Sequence, residues 1–258
     1  MPPPDVLGST SSISLLLVVA VVFVIAGLVK GVVGLGLPTI AMALLALMMT
    51  PAQAAAMLIV PSLVTNIWQI RPWRSLGPML KRLAPMQIGV FFGTLAGAWV
   101  LGAPAGAWAV VSLGVALIGY GAWGLSGARW IVSPTAQRWF GPMIGTVTGV
   151  VTAATGVFVI PAVPYLQAIA LERDELIQAM GISFTFSTVA LALGLHFNDR
   201  YSTASLGVSV LMLVPALIGM EVGQRLRQTL SPALFKKCFL VSLILLGLHM
   251  IVYEMLTQ

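Results

Sequence analysis

The sequence has few charged side chains. Asp, Glu, Lys and Arg make up 8% of its 258 residues, against about 25% in an ordinary soluble domain, while 59% of the residues are apolar. A soluble fold would leave much of that apolar surface in water, so the chain is predicted to be an integral membrane protein. The net charge of +6 does not indicate nucleic-acid binding, because no basic stripe with interleaved aromatic residues is present. The expected partners are the lipid bilayer and a small anion, and homo-oligomerisation stays open.

Residues that carry chemistry are also scarce. The single cysteine, Cys238, excludes an internal disulfide and a thiolate metal cluster. The two histidines, His196 and His249, have no carboxylate at metal-ligand spacing, and no Walker-type phosphate loop is present. The sequence therefore predicts no enzyme, no metal site and no cofactor. Whether H+ or Na+ serves as a coupling ion stays open.

Long apolar runs fill most of the chain. A helix that crosses a bilayer needs about 20 apolar residues, and the runs predict about ten segments. Two of them, 38–50 and 157–171, are short enough to be tilted, re-entrant or half-helices. The ten segments are 13–33, 38–50, 51–70, 83–101, 105–126, 140–155, 157–171, 175–195, 202–222 and 233–254.

The basic residues predict the orientation of these segments. With the N-terminus outside, twelve of the thirteen Lys and Arg residues fall on the inner side, and only Arg200 falls outside. Inner loops of membrane proteins carry such an excess, so both termini are predicted to lie outside a bacterial-type inner (cytoplasmic) membrane. The inner residues are Lys30, Arg71, Arg74, Lys81, Arg82, Arg129, Arg138, Arg173, Arg225, Arg227, Lys236 and Lys237.

The chain also repeats itself. Residues 27–33 (GLVKGVV) return as residues 145–151 (GTVTGVV), at an offset of 118 with five of seven positions identical. At an offset of 123, Pro38 matches Pro161 and Thr65 matches Thr188. Five segments per copy is an odd number, so the second copy is inverted. We predict a first repeat at 1–128, a connecting loop at 129–139 and a second repeat at 140–258, an arrangement typical of secondary transporters.

Each copy contains a helix break rich in Gly, Pro or Thr, at 31–38 and at 149–156. A short helix that starts at such a break directs free N–H groups and its positive dipole end toward the break, which favours an anion. Lys30 abuts the first break. It either lies deep and pairs with the anion, or extends to the inner interface as a topology signal. The predicted substrate-binding residues are Lys30, Gly34, Gly36, Pro38, Ser62, Asn66, Thr152, Thr155, Gly156, Ser183 and Ser187.

Other polar and small residues are assigned to structure. The glycine ladders at Gly27/Gly31, Gly89/Gly93/Gly97 and Gly141/Gly145/Gly149 predict close helix packing. Glu221 and Arg225 are spaced for an i,i+4 ion pair, with proton coupling as the alternative role of Glu221. Thr50 and Asp174 are predicted helix N-caps.

The breaks and their surroundings resemble the TauE/SafE family of sulfite and organosulfonate exporter-like transporters. The resemblance rests on residues 30–38 (KGVVGLGLP), 50–52 (TPA), 59–62 (IVPS), 145–149 (GTVTG), Pro161 and 180–185 (MGISFT). It implies transport of small sulfur-containing or carboxylate anions. The sequence thus predicts an all-α secondary transporter that moves a small organic or sulfur oxyanion, most simply by export through alternating access. The alternatives are an anion channel and a transporter of small carboxylates.

Overall fold

A computed structural model describes residues 10–128, 130–200, 203–229 and 231–256. These residues form ten α-helices and one short 3-10 turn, Trp73–Ser75, and no β-strand. The predicted all-α fold is therefore confirmed for the described residues; Arg129, one of the basic residues predicted to lie inside, falls outside them. The helices are α1 (Thr10–Val33), α2 (Leu37–Leu45), α3 (Pro51–Gln69), α4 (Leu76–Leu101), α5 (Ala107–Ser126), α6 (Pro134–Thr155), α7 (Ala162–Ala168), α8 (Arg173–Phe197), α9 (Thr203–Leu226) and α10 (Pro232–Leu256).

Each predicted apolar segment overlaps one of these helices, but two of the helices are very short. α2 has nine residues and α7 has seven, so each spans roughly 10–14 Å at 1.5 Å per residue. Among the described residues, six helices are long and apolar enough to cross a bilayer: Ile13–Val33, Trp73–Leu101, Ala107–Ser126, Arg173–Phe197, Ser205–Leu226 and Ala233–Leu256.

The outer faces of the long helices are apolar. Phe92, Trp99, Val115 and Leu245 are all more than half exposed. Large apolar side chains spread over a whole surface are unfavourable in water, whereas lipid tails solvate them. The interior is also apolar, apart from a set of buried Ser, Thr, Asn, Gln and Lys side chains.

The helix starts show one predicted cap and one correction. Thr50 caps α3 as predicted, with its hydroxyl accepting from Gln53 N at 3.3 Å and the Gln53 side chain accepting from Thr50 N at 3.1 Å. The predicted N-cap Asp174 is wrong. The cap of α8 is Glu172, because the side chain of Glu175 accepts from Glu172 N at 3.0 Å and so completes a capping box two residues earlier.

Glycines make the closest helix contacts. A Cβ atom placed on Gly145 of α6 would lie 2.1 Å from Met86 O of α4, and one placed on Gly149 would lie 2.4 Å from Thr94 N. These backbones touch directly, which only glycine allows. The prediction that the ladders pack helices is confirmed. The later glycine on α6 contacts the later residue on α4, so α4 and α6 run parallel.

The same contact occurs a second time, between α1 and α9. A Cβ atom on Gly27 would lie 2.2 Å from Ala216 O, and one on Gly31 would lie 2.8 Å from Gln224 N. Gly27 and Gly31 match Gly145 and Gly149 at the offset of 118. The residues that these glycines contact on α9 match the contacted residues on α4 at an offset of 130. Ala216 matches Met86, and Gln224 matches Thr94. The sequence analysis did not identify α9 as the partner of this ladder.

α5 and α10 also pack through glycines, and each glycine faces the other. A Cβ atom on Gly114 would lie 2.8 Å from Gly247 O, and one on Gly247 would lie 2.5 Å from Gly114 O. Farther along, Gly121 faces Leu240 and Ile244, so these two helices are antiparallel. α3 and α8 contact each other, α3 also contacts α9, and α8 also contacts α4. The α3–α8 pair positions the polar site described next.

Candidate functional site

The first break lies between α1 and α2. Gly34 N donates to Lys30 O at 2.8 Å and ends α1. Gly34 and Gly36 then adopt φ values of 81° and 112°, a left-handed region that residues with a Cβ rarely enter. Pro38 stands in the first turn of α2, where its missing N–H costs no hydrogen bond. The chain therefore leaves α1 just beyond Lys30 and starts a new helix within four residues.

Lys30 is buried in the protein. Its side chain is 3% exposed, and Nζ donates to Thr65 Oγ1 at 3.1 Å and to Asn66 Oδ1. Both acceptors are neutral oxygen atoms of α3. Of the two interpretations left open by the sequence, the structure supports the deep position, because an amine extended to the interface would be exposed. A buried ammonium without a negative partner is unfavourable.

The polar contacts continue from Lys30 into α8. Asn66 Nδ2 lies 3.5 Å from Thr188 Oγ1, and Thr188 in turn donates to Phe184 O in its own helix at 2.6 Å. Thr65 donates to Pro61 O at 2.6 Å. Lys30, Asn66 and Thr188 thus connect α1, α3 and α8 near the point where α3 and α8 meet.

A cavity of about 560 Å³ opens beside Lys30, between the ends of α1 and α3, the start of α8 and the end of α9. Three of its side chains are basic and one is acidic, so the lining is net positive. Gln69 Nε2 donates to Gly34 O at 2.7 Å and holds the break against α3. The lining residues are Lys30, Gly31, Gly34, Trp68, Gln69, Arg173, Asp174, Ile177, Met220, Gln224, Arg227 and Gln228; we call this space the basic cavity.

A family model shows which proteins share this chain's sequence pattern. The model of the sulfite exporter TauE/SafE family matches residues 19–250, nearly the whole chain. The chain belongs to the TauE/SafE family. The search of curated proteins and the search of solved structures found no match. Family membership, together with the apolar helices, makes the chain an integral membrane transporter of the sulfite or sulfonate type and not an enzyme.

In this TauE/SafE protein, the predicted site residues of the first half divide into two groups. Lys30 and Gly34 line the basic cavity, and Asn66 is bonded to Lys30. Gly36 and Pro38 are buried but do not line it, and a Cβ atom on Gly36 would lie 3.3 Å from the ring of Phe239. Ser62 is fully buried on α3, and its hydroxyl has no hydrogen-bond partner among the described residues.

The predicted residues at the second break lie apart from the cavity lining. Thr152 and Thr155 donate to the carbonyls of Thr148 and Val151 in their own helix, each at 2.7 Å. Thr155 Oγ1 also accepts from Val157 N at 3.1 Å and so caps the break. Gly156 has φ 69° and packs against Met42 and Ala55. At this break the threonine hydroxyls bond neighbouring backbone groups, and Gly156 packs against residues of the first half of the chain.

Two predicted serines lie on α8, where they are buried and outside the cavity lining. Ser183 accepts from Gln87 Nε2 of α4 at 2.7 Å, and Ser187 is 1% exposed. The predicted Glu221–Arg225 pair is confirmed at 2.9 Å, with both side chains exposed.

Several cavity residues were not predicted as part of the site. Arg173 and Arg227 were interpreted only as topology signals, and Gln224 and Gln228 were not considered. The spacing of Gln224, Arg227 and Gln228 places them on one face of a helix end. That spacing indicates a polar face, but the sequence alone does not place it beside Lys30.

Proposed function

We propose that this protein is a secondary transporter that exports a small organic or sulfur oxyanion of the sulfonate or sulfite class by alternating access. The observation that carries the proposal is the Lys30 ammonium, which is buried at the basic cavity and whose hydrogen-bond partners among the described residues are all neutral. An anion entering the cavity supplies the missing negative charge. Its oxygen atoms also accept hydrogen bonds that a charged donor makes strongly.

The size and charge of the cavity support an anion with an organic group. About 560 Å³ lies within the usual range for small-molecule sites, roughly 300–1,000 Å³. The positive groups Arg173 and Arg227 attract anions toward Lys30. Trp68, Ile177 and Met220 provide apolar surface beside them, which suits a sulfonate with a carbon substituent.

We also propose that the chain forms about ten membrane segments, as two inverted repeats of five with the short helices α2 and α7 at matched positions and with both termini outside. Two observations support this arrangement. The α1–α9 and α4–α6 contacts repeat the same glycines against the same backbone atoms. Alternating directions over ten segments require α1 and α9 to be parallel, α4 and α6 to be parallel, and α5 and α10 to be antiparallel, as they are in the structure. The basic cavity then faces the cytoplasm.

The remaining parts of the proposal rest on the sequence alone. The transporter uses no cofactor, and an H+ or Na+ gradient, if one is coupled, acts without a buried carboxylate relay from Glu221. Assembly into a homo-oligomer in the membrane is compatible with the apolar outer faces. Its location in the bacterial-type inner membrane follows from the placement of basic residues.

Replacing Asn66 with aspartate is expected to weaken substrate binding and to stabilise the empty protein. The carboxylate would stand where the amide oxygen already accepts from Lys30, so Lys30 would gain an internal counter-ion that competes with the substrate. Melting temperatures with and without ligand check both effects. Gln53→Glu is the matched control, because Gln53 is an exposed amide outside the cavity lining whose side-chain oxygen accepts from Thr50 N. An N66D protein with unchanged ligand response would contradict the role of Lys30.

A thermal-shift screen of detergent-purified protein tests the substrate class. The ligands are sulfite, taurine, sulfoacetate, other sulfonates and small carboxylates. A saturable ligand at a hundred times its Kd stabilises the folded state by roughly 2.7 kcal/mol. Selective stabilisation by sulfite or sulfonates is expected. Stabilisation by carboxylates alone would indicate a transporter of small carboxylates. Flux that does not saturate with substrate would favour a channel.

A further inference from the structure

The basic cavity has a structural counterpart on the other side of the molecule. The contacts of Gly27 and Gly31 with α9 are repeated by Gly145 and Gly149 with α4. Each cavity residue on α1 and α9 therefore has a matched residue on α6 and α4. By this match Thr148 stands for Lys30 and Thr94 for Gln224.

The matched region is closed in this structure. A Cβ atom on Gly194 of α8 would lie 2.8 Å from Ala98 Cβ of α4, and Asn198 Nδ2 donates to Ala98 O at 3.1 Å. Thr94 and Thr148 behind this contact are fully buried. On the open side, the residue matched to Ala98 is Gln228, which lines the basic cavity. One of two equivalent sides is thus open and the other is sealed.

We propose that the Ala98–Gly194–Asn198 contact is the closed second entrance of the substrate path, and that Thr94 and Thr148 line this entrance when it opens. The inference rests on the proposed transport function. In a transporter with inverted repeats, each repeat can adopt the arrangement now seen in the other, which closes the open side and opens the closed side. This entrance would then adopt the open arrangement now seen at the basic cavity.

The chemistry of the second entrance differs from that of the basic cavity. Thr148 replaces the Lys30 ammonium and Gly97 replaces the Arg227 guanidinium. Both threonine hydroxyls now donate to their own helix, Thr94 to Val90 O at 2.7 Å and Thr148 to Ile144 O at 2.8 Å. An oxyanion at the open entrance would meet hydroxyl donors in place of cations, and the same substrate would be held there by neutral hydrogen bonds.

A cross-link across the closed contact tests the inference. Ala98→Cys and Gly194→Cys are combined in a Cys238→Ser background, because Cys238 is an exposed free thiol. Their Cβ atoms would lie 2.8 Å apart. A disulfide requires a separation of about 4 Å, so the two helices need to move apart by under about 2 Å. Oxidised protein should keep its thermal response to sulfite or a sulfonate, since the basic cavity stays open, and should lose substrate counterflow in proteoliposomes. Reduction should restore counterflow.

The controls separate this inference from the proposed function. Each single-cysteine variant should be insensitive to oxidation. Counterflow that survives a complete cross-link would overturn the second entrance alone, while a wild-type protein without counterflow would overturn the transport function and the entrance together.

Cysteine accessibility provides a second test that does not depend on the cross-linked variant folding. Thr148→Cys, in the same Cys238→Ser background, should react with a membrane-impermeant thiol reagent while substrate is being transported. The control Leu113→Cys is equally buried, on α5, and should stay unreactive. Equal, slow labelling of both cysteines would overturn the proposal.

Discussion

Lys30→Met is expected to abolish high-affinity anion binding without destabilising the empty protein. The substitution removes the buried charged donor of the basic cavity, and hydrogen bonds to charged groups contribute about 1.5–3 kcal/mol. That loss corresponds to a Kd raised by roughly one to two orders of magnitude. Methionine fills most of the volume of the lysine stem and removes a buried charge that has no negative partner, so the melting temperature of the empty protein should stay the same or rise.

The measurement is the melting temperature of each variant over a titration of sulfite or of the best sulfonate. Lys81→Met is the matched control, because Lys81 is an exposed lysine on α4 outside the cavity lining. Lys30→Thr adds a second check, since it places in the first copy the residue that the second copy carries as Thr148. If Lys30→Met and Lys81→Met bind the anion equally well, Lys30 is not a substrate contact.

Gly145→Ala is expected to cause the largest loss of stability. The new methyl group would lie 2.1 Å from Met86 O and 2.9 Å from Val90 N, and neither backbone atom moves unless α4 and α6 separate. Overpacking of a close-packed interior typically costs about 1–3 kcal/mol, and a clash with backbone should fall at or above the upper end. Gly27→Ala should behave alike, because its methyl group would lie 2.2 Å from Ala216 O.

Gly207→Ala is the control for these glycine substitutions. Gly207 is also helical, in α9, but a Cβ atom there would meet nothing within 4 Å. Alanine is a better helix former than glycine by about 1 kcal/mol, so this variant should be as stable as the wild type or more so. Melting temperatures in detergent compare the three proteins. A Gly145→Ala protein as stable as Gly207→Ala would show that the α4–α6 contact is looser than described.

The all-helical fold and the first helix break could be predicted from the sequence because they depend on local composition. A lysine within an apolar run, followed by three glycines and a proline, indicates a break with a charge beside it, but leaves open whether that charge is buried. The glycine ladders identified α1, α4 and α6 as packing helices. They did not show that α9 is the partner of α1, because a glycine in a helix predicts close packing but does not identify the helix that packs against it.

The hydrogen-bond partners of the threonines at the second break could not be predicted, because a threonine hydroxyl can bond either a substrate or its own helix. Thr152 and Thr155 looked like substrate donors, but in the structure their hydroxyls bond carbonyls of α6. The arginines posed a similar ambiguity. Arg227 near the end of a span is explained fully by topology, and only the crossing of α1 with α9 shows that it also faces Lys30 across the basic cavity. The cap of α8 depended on which of several adjacent acidic residues pairs with Glu175.

Substrate counterflow tests the central claim of alternating access most directly. Proteoliposomes containing the purified protein are loaded with unlabelled sulfite or the sulfonate chosen by the thermal-shift screen, then diluted into a trace of labelled substrate. A carrier that opens to one side at a time should exchange the two, so the label should accumulate transiently above its equilibrium level, and Lys30→Met should show none of this overshoot. Entry of label that only approaches equilibrium, at a rate proportional to its concentration, would contradict the account and identify a channel.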